Sequence, residues 1–320
     1  MEFRHEPVLL KECIEALTIK PNGIYVDGTL GGAGHSLKIL EHLSAQGLLI
    51  GIDRDEEALQ AAKDRLKAYT NVKYIHGNHD DIDQILKEIG INLVDGILLD
   101  LGVSSYQLDE KSRGFSYLSD NPLDMRMDKT KAFTAKDVLN SYSEENLTKI
   151  LWEYGEEKFS KQIARNICKT REEKPIETTK ELVTIVENSI PKAKQKDGHP
   201  AKRTFQAIRI EVNDEIKPLK NTIKKSIHCL KQHGRLAVIT FHSLEDRAVK
   251  EAMLELQGKC TCPPDLPYCI CNYESYGKVM NKKPIVASKE EMDRNSRSKS
   301  AKLRVFERVD KINSSLGSET

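Results

Sequence analysis

Short apolar runs that end in an acidic residue recur through the first hundred residues and predict the strands of a parallel sheet. These runs end at Asp27, Asp53 and Asp100, and a further strand pattern covers residues 72–78. Between them lie segments with apolar residues at helical spacing, such as the one that follows Gly34. Strand and helix therefore alternate, which predicts an α/β fold with a doubly wound, mostly parallel sheet.

The hydrophobic period changes after Gln107. A polar loop covers residues 113–128, and residues 134–189 carry only helical patterns. Strand patterns return at 236–243 and within 294–309. We therefore divide the chain into a first part of the core at residues 1–110, an inserted all-helical subdomain at 111–212, a second part of the core at 213–309 with a cysteine-containing loop at 258–301, and a disordered tail at 310–320.

Composition bounds the kind of protein. Hydrophobic residues make up 38% and charged residues 31% of the 320 positions, as is ordinary for a soluble protein. No apolar stretch approaches the length of about 18 residues that spans a bilayer, and the N-terminus lacks an apolar signal core. We therefore expect a cytoplasmic protein that is not bound to a membrane, whose seven cysteines stay reduced.

A glycine-rich turn follows the first predicted strand, in the stretch YVDGTLGGAGHS at residues 25–36. Strand, glycine turn and helix in this order let a ligand approach backbone amides at a helix N-terminus. The turn lacks the dinucleotide fingerprint, because Leu37 stands where its third glycine would be. Asp27 before the turn is instead typical of S-adenosylmethionine (AdoMet) methyltransferases.

Acidic residues at the ends of the second and fourth strands lie, with the glycine turn, at the edge of the predicted sheet where a ligand would bind. Asp53 is placed to accept both hydroxyls of a ribose, with capping of the next helix as its alternative role. Asp100 ends the fourth strand at the same carboxyl edge, and His242 ends the fifth. His79 follows the third strand, where it would lie beside an adenine or be idle, and His5 could cover a ligand or be structural.

The net charge of +1 hides two basic segments. Residues 192–235 contain twelve Lys or Arg against four Asp or Glu, and residues 278–308 contain ten against four. Such segments suit a polyanion, although a solvated helix face and a loop produce the same composition.

Aromatic residues near basic ones are candidates for stacking on bases. Phe205 follows Lys202 and Arg203, which fits a nucleic-acid contact or, equally, a packed phenylalanine beside a solvated edge. The single tryptophan, Trp152, is assigned to the core of the helical subdomain rather than to a stacking surface.

Four cysteines lie within twelve residues, at Cys260, Cys262, Cys269 and Cys271. This density suits a structural zinc site with four thiolate ligands, although the C-x-C spacing is unusual. Reduced structural thiols are the alternative.

The motifs in combination resemble one family, the bacterial small-subunit ribosomal RNA (cytosine-N4)-methyltransferases, also called RsmH or MraW. The resemblance runs from His5 to about Val309 and rests on HEPVLLKE, DGTLGGAGHS, DLGVSSYQLD, RGFS, PLDMRMD, KRTFQAIRIEVN, TFHSLEDR and RNSRSKSAKLR. It implies a Rossmann-like AdoMet methyltransferase core with an inserted helical domain. It also implies methylation at N4 of a cytidine in the decoding region of 16S rRNA, within the small ribosomal subunit and not on DNA.

The resemblance carries a set of cofactor-binding residues onto this chain. His79 stands where the family often has an aromatic residue such as Phe. The positions that match the family's cofactor contacts are Gly34, His35, Ser36, Asp53, His79, Asp100 and Gln107.

The exocyclic amine of cytosine is a poor nucleophile, because its lone pair is delocalised into the ring. DNA amino-methyltransferases use a D/N/S-P-P-Y/F loop at the end of the fourth strand, where this chain has DLGVSS. Our hypothesis is that backbone carbonyls and Ser104 or Ser105 accept the hydrogens of the amine. Asp100 either assists transfer or only binds the amino group of the cofactor, and Tyr106 or Phe115 would stack on the target base.

Two other function classes remain open at this point. The chain could be a non-catalytic RNA-binding module that senses AdoMet or a nucleotide. It could also be an NAD(P) oxidoreductase, which the absent third glycine argues against.

Overall fold

The computed structural model describes residues 7–195, 198–259, 262 and 273–313. The chain divides into two compact units. The core unit comprises Met1–Gly102 and Ile216–Thr320, and the helical unit comprises Val103–Glu215. The helical unit therefore begins and ends a few residues outside the expected insertion at 111–212.

The core unit is built on one seven-stranded sheet with the order β3-β2-β1-β4-β5-β7-β6. Strands β1 to β5 are parallel, and β7 runs antiparallel to both β5 and β6. This is the topology of a Rossmann-like methyltransferase, so the predicted fold class is confirmed. The strands are β1 Ile24–Asp27, β2 Leu48–Asp53, β3 Val72–His76, β4 Val94–Asp100, β5 Leu230–Thr240, β6 Glu274–Val279 and β7 Lys302–Asn313.

Helices cover both faces of this sheet, which explains the continuous apolar runs in its strands. In β4, Ile97 and Leu99 belong to one apolar layer and Leu98 belongs to the other, and all three are fully buried. None of the described helices is both long and apolar enough to cross a membrane. The helices of the core unit are α1 Leu10–Leu17, α2 Gly34–His42, α3 Glu56–Arg65, α4 Ile82–Glu88, α11 Leu219–His228, α12 Ser243–Gln257 and α13 Lys289–Arg294.

Two expectations for the C-terminal part were wrong. The expected loop at 258–301 contains strand β6 and helix α13. The expected tail at 310–320 begins inside β7, which continues to Asn313 and pairs with β6 there, so that Ile312 lies opposite Ser275. Backbone pairing orders this polar segment, and residues 314–320 lie outside the described residues.

The described part of the helical unit contains six α-helices around its own apolar core. Thr134 and Ser143 are N-caps of its second and third helices. These helices are α5 Ser105–Asp109, α6 Ala135–Ser141, α7 Glu144–Glu153, α8 Ser160–Glu173, α9 Thr179–Ser189 and α10 Lys202–Asn213.

Trp152 was wrongly assigned to the core, since it is 60% exposed. The buried residues of α7 are Leu147, Ile150 and Leu151. They follow the i, i+3, i+4 spacing of one helix face, and Trp152 lies outside that stripe.

Candidate functional site

Carboxylates end three adjacent strands of the core unit at one edge of the sheet. Asp27 ends β1, Asp53 ends β2 and Asp100 ends β4, and β1 pairs with both of the other strands. Ligands of open α/β sheets bind outside the carboxyl ends of the strands. The structure thus brings the predicted acidic residues to the edge where a ligand would bind.

Asp27 holds both ends of the glycine turn through hydrogen bonds to its carboxylate. Its carboxylate accepts hydrogen bonds from the Ser36 hydroxyl at 2.7 Å and from the Thr29 N–H at 3.2 Å. Burial raises the pKa of Asp27 to about 6, although the bond from Ser36 opposes this change. The Ser36 side chain, predicted to contact a cofactor, is therefore engaged in holding the first turn of α2 to β1.

The glycines of the turn have different physical roles. A Cβ at Gly34 would lie 2.2 Å from Cγ of Pro7, so close packing requires glycine there. A Cβ at Gly32 would meet nothing within 4 Å. The backbone at Gly32 therefore faces open space that a ligand can enter, whereas Gly34 allows the N-terminal segment to pack on α2.

Asp53 holds the glycine turn from the second strand. Its Oδ2 accepts the Gly31 N–H at 2.7 Å, and its Oδ1 accepts the Asp55 N–H at 2.9 Å. Burial raises the pKa of Asp53. The N-cap of α3 is Asp55, which accepts the Glu57 N–H at 3.1 Å. The capping role considered for Asp53 therefore belongs to its neighbour.

His79 is buried in a 3₁₀ turn directly after β3. Burial, assisted by the nearby Arg54 cation, lowers the pKa of His79 to about 4. A Cβ added to Gly28 would come within 3.2 Å of the His79 Cβ. The His79 side chain is thus neutral near pH 7, and its Cβ packs against the start of the glycine turn.

Asp100 has the least satisfied carboxyl group at this edge. Its N–H donates to Thr29 Oγ1 at 2.6 Å, and its Oδ2 lies 3.7 Å from Nδ1 of His35. Its Oδ1 is buried, with no hydrogen-bond partner among the described residues. Burial, followed by the charges of Asp27 and Glu245, raises the pKa of Asp100 to about 8. Asp100 is therefore mostly protonated at pH 7 and offers an acceptor that lacks a donor.

His35 links Asp100 to the N-terminal segment. Its Nε2 lies 3.0 Å from the carbonyl oxygen of Val8. A carbonyl only accepts, so the ring proton belongs on Nε2, and in the neutral ring Nδ1 is the unprotonated nitrogen toward Asp100. The Leu9 N–H next to Val8 donates to Glu291 Oε1 at 2.8 Å. His5 lies outside the described residues.

Glu245 belongs to the same edge and was missed in the sequence. It is 1% exposed and accepts the Phe241 N–H at 2.7 Å and the His242 N–H at 3.3 Å. His242 is the N-cap of α12, and the two side chains form a capping box. The signal that could have revealed Glu245 is a glutamate three residues after His242, which is the spacing of a capping box.

The remaining predicted catalytic residues belong to the helical unit. Ser104 is the N-cap of α5: its Oγ accepts the Gln107 N–H at 3.2 Å, and its own N–H donates to Gln107 Oε1 at 3.0 Å. The side chain of Ser105 lies outside the described part of the chain. Tyr106 is 43% exposed, and its stacking on the target base stays a prediction. Phe115 is buried in the apolar core, so stacking by Phe115 was a wrong prediction.

The structure also distinguishes between the two roles considered for Phe205, a nucleic-acid contact and a packed core residue. Phe205 is buried and meets the Tyr117 ring edge-on at 5.6 Å, and His199 stacks on Tyr117 at 4.4 Å. Phe205 is therefore a packed residue, while Lys202 and Arg203 on the first turn of α10 are exposed.

The predicted zinc site is not tested by the structure. Cys260, Cys269 and Cys271 lie outside the described residues, and only Cys262 is described. Within the described ranges, no group of three or more His, Cys, Asp or Glu side chains is arranged to hold a metal ion.

Comparison with known proteins identifies the family. The model of the MraW methylase family matches residues 2–309. The chain belongs to the MraW methylase family. The resemblance noted in the sequence is thereby confirmed.

Relatives within the MraW methylase family match nearly the whole chain. A protein of Clostridium botulinum (strain Kyoto / Type A2) named ribosomal RNA small subunit methyltransferase H is 59% identical over 309 residues, which cover 97% of this chain and 100% of the relative. A protein of the same name from Lachnospira eligens is 56% identical over 311 residues, covering 97% and 99%. A solved rRNA methylase from Streptococcus thermophilus is 13% identical, with a TM-score of 0.40 and 94% of each chain covered.

Proposed function

We propose that this MraW-family protein is an AdoMet-dependent methyltransferase of small-subunit ribosomal RNA. The methyl acceptor is the exocyclic N4 of a cytidine in the decoding region, and the enzyme acts in the cytoplasm. The observation that carries the proposal is the carboxyl edge itself, where Asp53 lies beside an open glycine turn and a buried Asp100 oxygen has no partner among the described residues. The names of the relatives support ribosomal RNA as the substrate.

The residues present fit AdoMet as the cofactor. The open space at Gly32 admits a ligand against the backbone of the turn. In this proposal Asp53 accepts the ribose hydroxyls with the lone pairs that its two backbone hydrogen bonds leave over. The neutral ring of His79 suits an adenine, and Asp100 Oδ1 would accept from the cationic amino group. When bound, AdoMet supplies an electrophilic methyl group on a sulfonium.

The protein residues contribute orientation rather than a strong base. Ser104 Oγ uses one lone pair as the N-cap of α5, which leaves a second lone pair for a hydrogen of the cytosine amine. Together with backbone carbonyls it would orient the amine, and the proton would leave to water after transfer. Holding two reactants in line removes a large part of an activation barrier. Gln107, predicted to contact the cofactor, supports this geometry by completing the cap.

The first test is methyl transfer from labelled AdoMet. Small subunits from cells that lack the enzyme would be compared with their deproteinised RNA, and nucleosides from both would be analysed by mass spectrometry. N4-methylcytidine in either sample is the expected result, and the sample that reacts identifies the assembly stage recognised. AdoMet binding without any transfer would favour a binding module instead, and equilibrium dialysis with NAD would detect an oxidoreductase.

A further inference from the structure

The peptide group between Val8 and Leu9 is hydrogen-bonded on both of its sides. Its carbonyl oxygen lies 3.0 Å from Nε2 of His35, and its N–H donates to Oε1 of Glu291 at 2.8 Å. The carbonyl and the N–H of a planar trans peptide point in opposite directions. One rigid plane therefore connects His35 on α2 with Glu291 on α13, although these helices are far apart in the sequence.

The backbone at Leu9 is held in an unusual conformation. Its φ of 53° and ψ of 34° lie in the left-handed region, which a leucine rarely adopts. Such a conformation costs free energy and persists only where the surrounding contacts fix it. The hydrogen bond to Glu291 is one of these contacts, and the packing of Pro7 on Gly34 holds the same segment against the glycine turn.

Glu291 is a buried carboxylate whose charge has no cationic partner. It is 9% exposed, and in the described part of the chain it forms no ion pair with Lys, Arg or His. Ser288 is the N-cap of α13, so a glutamate three residues later would ordinarily complete a capping box. The carboxylate instead accepts the Leu9 N–H. Glutamate is rarely buried without a partner, so capping of α13 does not account for this residue.

The hydrogen bond from His35 to the Val8 carbonyl determines which ring nitrogen faces Asp100. With the proton on Nε2, Nδ1 carries a lone pair and lies 3.7 Å from Oδ2 of Asp100. A lone pair there favours the carboxyl proton of Asp100 on Oδ2, which leaves the buried Oδ1 as the acceptor for a ligand. The charge of Glu291 polarises the shared peptide group and strengthens the hydrogen bond that its carbonyl accepts.

We propose that Glu291 is a positioning residue for the amino-group end of AdoMet. The inference rests on the proposed function, in which Oδ1 of Asp100 accepts from that amino group. Glu291 fixes the Val8–Leu9 peptide group, whose carbonyl fixes the tautomer of His35. His35 in turn orients the carboxyl group of Asp100. Glu291 thus acts through other residues, as the outer partners of metal-bound histidines do.

The experiment uses the full-length protein and two ligands. AdoMet carries the amino group, whereas methylthioadenosine has the adenosine part without it. Calorimetry would give both affinities for the wild type, Glu291→Met and Glu291→Gln. Methionine suits a helix but offers only a weak acceptor, whereas glutamine keeps an acceptor for the Leu9 N–H. The control is Glu307→Met, at another buried glutamate of the core unit, which pairs with Arg235.

We expect Glu291→Met to weaken AdoMet binding by about tenfold, the lower end of the loss caused by removing the outer partner of a metal-bound histidine. Its affinity for methylthioadenosine should not change, because that ligand has no amino group. Glu291→Gln and Glu307→Met should bind both ligands like the wild type. In an Asp100→Asn background, Glu291→Met should cause no further loss, since both changes act on the same contact.

Two further measurements need no cofactor. In the wild type, nitrogen NMR of His35 should show a neutral ring with its proton on Nε2. Hydrogen exchange at the Leu9 amide should be slow in the wild type and in Glu291→Gln and faster in Glu291→Met. A role of Glu291 confined to the stability of α13 would change neither the tautomer of His35 nor the preference between the two ligands.

Three outcomes would overturn the inference. They are a proton on Nδ1 of His35 in the wild type, equal losses of AdoMet and methylthioadenosine affinity in Glu291→Met, and wild-type AdoMet affinity in that variant. The NMR measurement uses the wild type alone, so it decides the matter even if Glu291→Met does not fold. Any of these outcomes with intact methyl transfer rejects the positioning role alone, whereas a wild type that does not bind AdoMet rejects the proposed function.

Discussion

Replacing Asp100 with asparagine tests whether its carboxyl group is held neutral in the folded protein. Burial and two nearby carboxylates raise the pKa of Asp100 to about 8, whereas an aspartate in an unfolded chain titrates near 3.9. Between these values the folded protein keeps a proton that the unfolded chain has released. Raising the pH therefore destabilises the fold through this group, and Asp100→Asn removes that dependence.

The size of this effect follows from the pH interval over which the folded protein holds the extra proton. Between pH 6 and pH 8 a group with a folded pKa near 8 costs about 2 kcal/mol of folding free energy. This is an upper limit, because 26% of the Asp100 side-chain surface is exposed and solvent screens the charge. Asp27, with a pKa of about 6, has most of its effect on folding stability below pH 6 and adds little to the change between pH 6 and pH 8.

Urea denaturation of both proteins at pH 6 and pH 8 measures the effect. The free energy of unfolding of Asp100→Asn relative to the wild type should increase by up to about 2 kcal/mol over this interval. The control is Asp64→Asn, at an exposed position on α3, which should run parallel to the wild type. If Asp100→Asn also ran parallel, the carboxyl would be ionised at pH 6 and the reasoning would fail.

Three further predictions concern the cofactor edge and the α5 cap. Gly34→Ala should destabilise the protein by about 1–3 kcal/mol through overpacking, whereas Gly32→Ala should keep its stability in urea denaturation and lose AdoMet affinity in calorimetry. Ser104→Ala and Ser143→Ala should each lose about 1 kcal/mol as N-caps, but only Ser104→Ala should lower kcat; equal kcat values would remove Ser104 from the mechanism. AdoMet binding at pH 7 should release nearly one proton as Asp100 ionises, seen by calorimetry in buffers of different ionisation enthalpy and absent in Asp100→Asn.

The sheet could be predicted because its central strands are buried on both faces. Such strands carry uninterrupted apolar runs, and in β2 and β4 each run ends at an acidic residue of the carboxyl edge. Strand β6 and the end of β7 gave no such signal, since they lie at the edge of the sheet and their sequences are polar or contain glycine. Their order comes from antiparallel pairing between distant segments, which local periodicity does not reveal.

The residues of the candidate site likewise fall into those that the sequence predicts and those that it does not. Asp53, His79 and Asp100 each follow a strand closely, so their position at the edge follows from the fold. Glu245 is separated from Asp100 by the whole helical unit, and only the pairing of β4 with β5 brings the ends of their strands together. The hydrogen bond from Ser36 to Asp27 likewise depends on how the glycine turn closes, which sequence spacing alone does not determine.

The acidic character of this edge also limits where a cationic cofactor can be held productively. Asp27 and Asp100 lie near each other, and Asp100 also lies near Glu245. Among the described residues, neither Asp27 nor Asp100 forms an ion pair with Lys or Arg. Methyl transfer removes positive charge from sulfur, so an ionised carboxylate against the sulfonium would stabilise the ground state more than the transition state. A carboxylate paired with the distant amino group keeps its partner throughout the reaction. We therefore propose that Asp100, which is neutral until a cation pairs with it, binds the amino group of the cofactor rather than lying at the transferred methyl group.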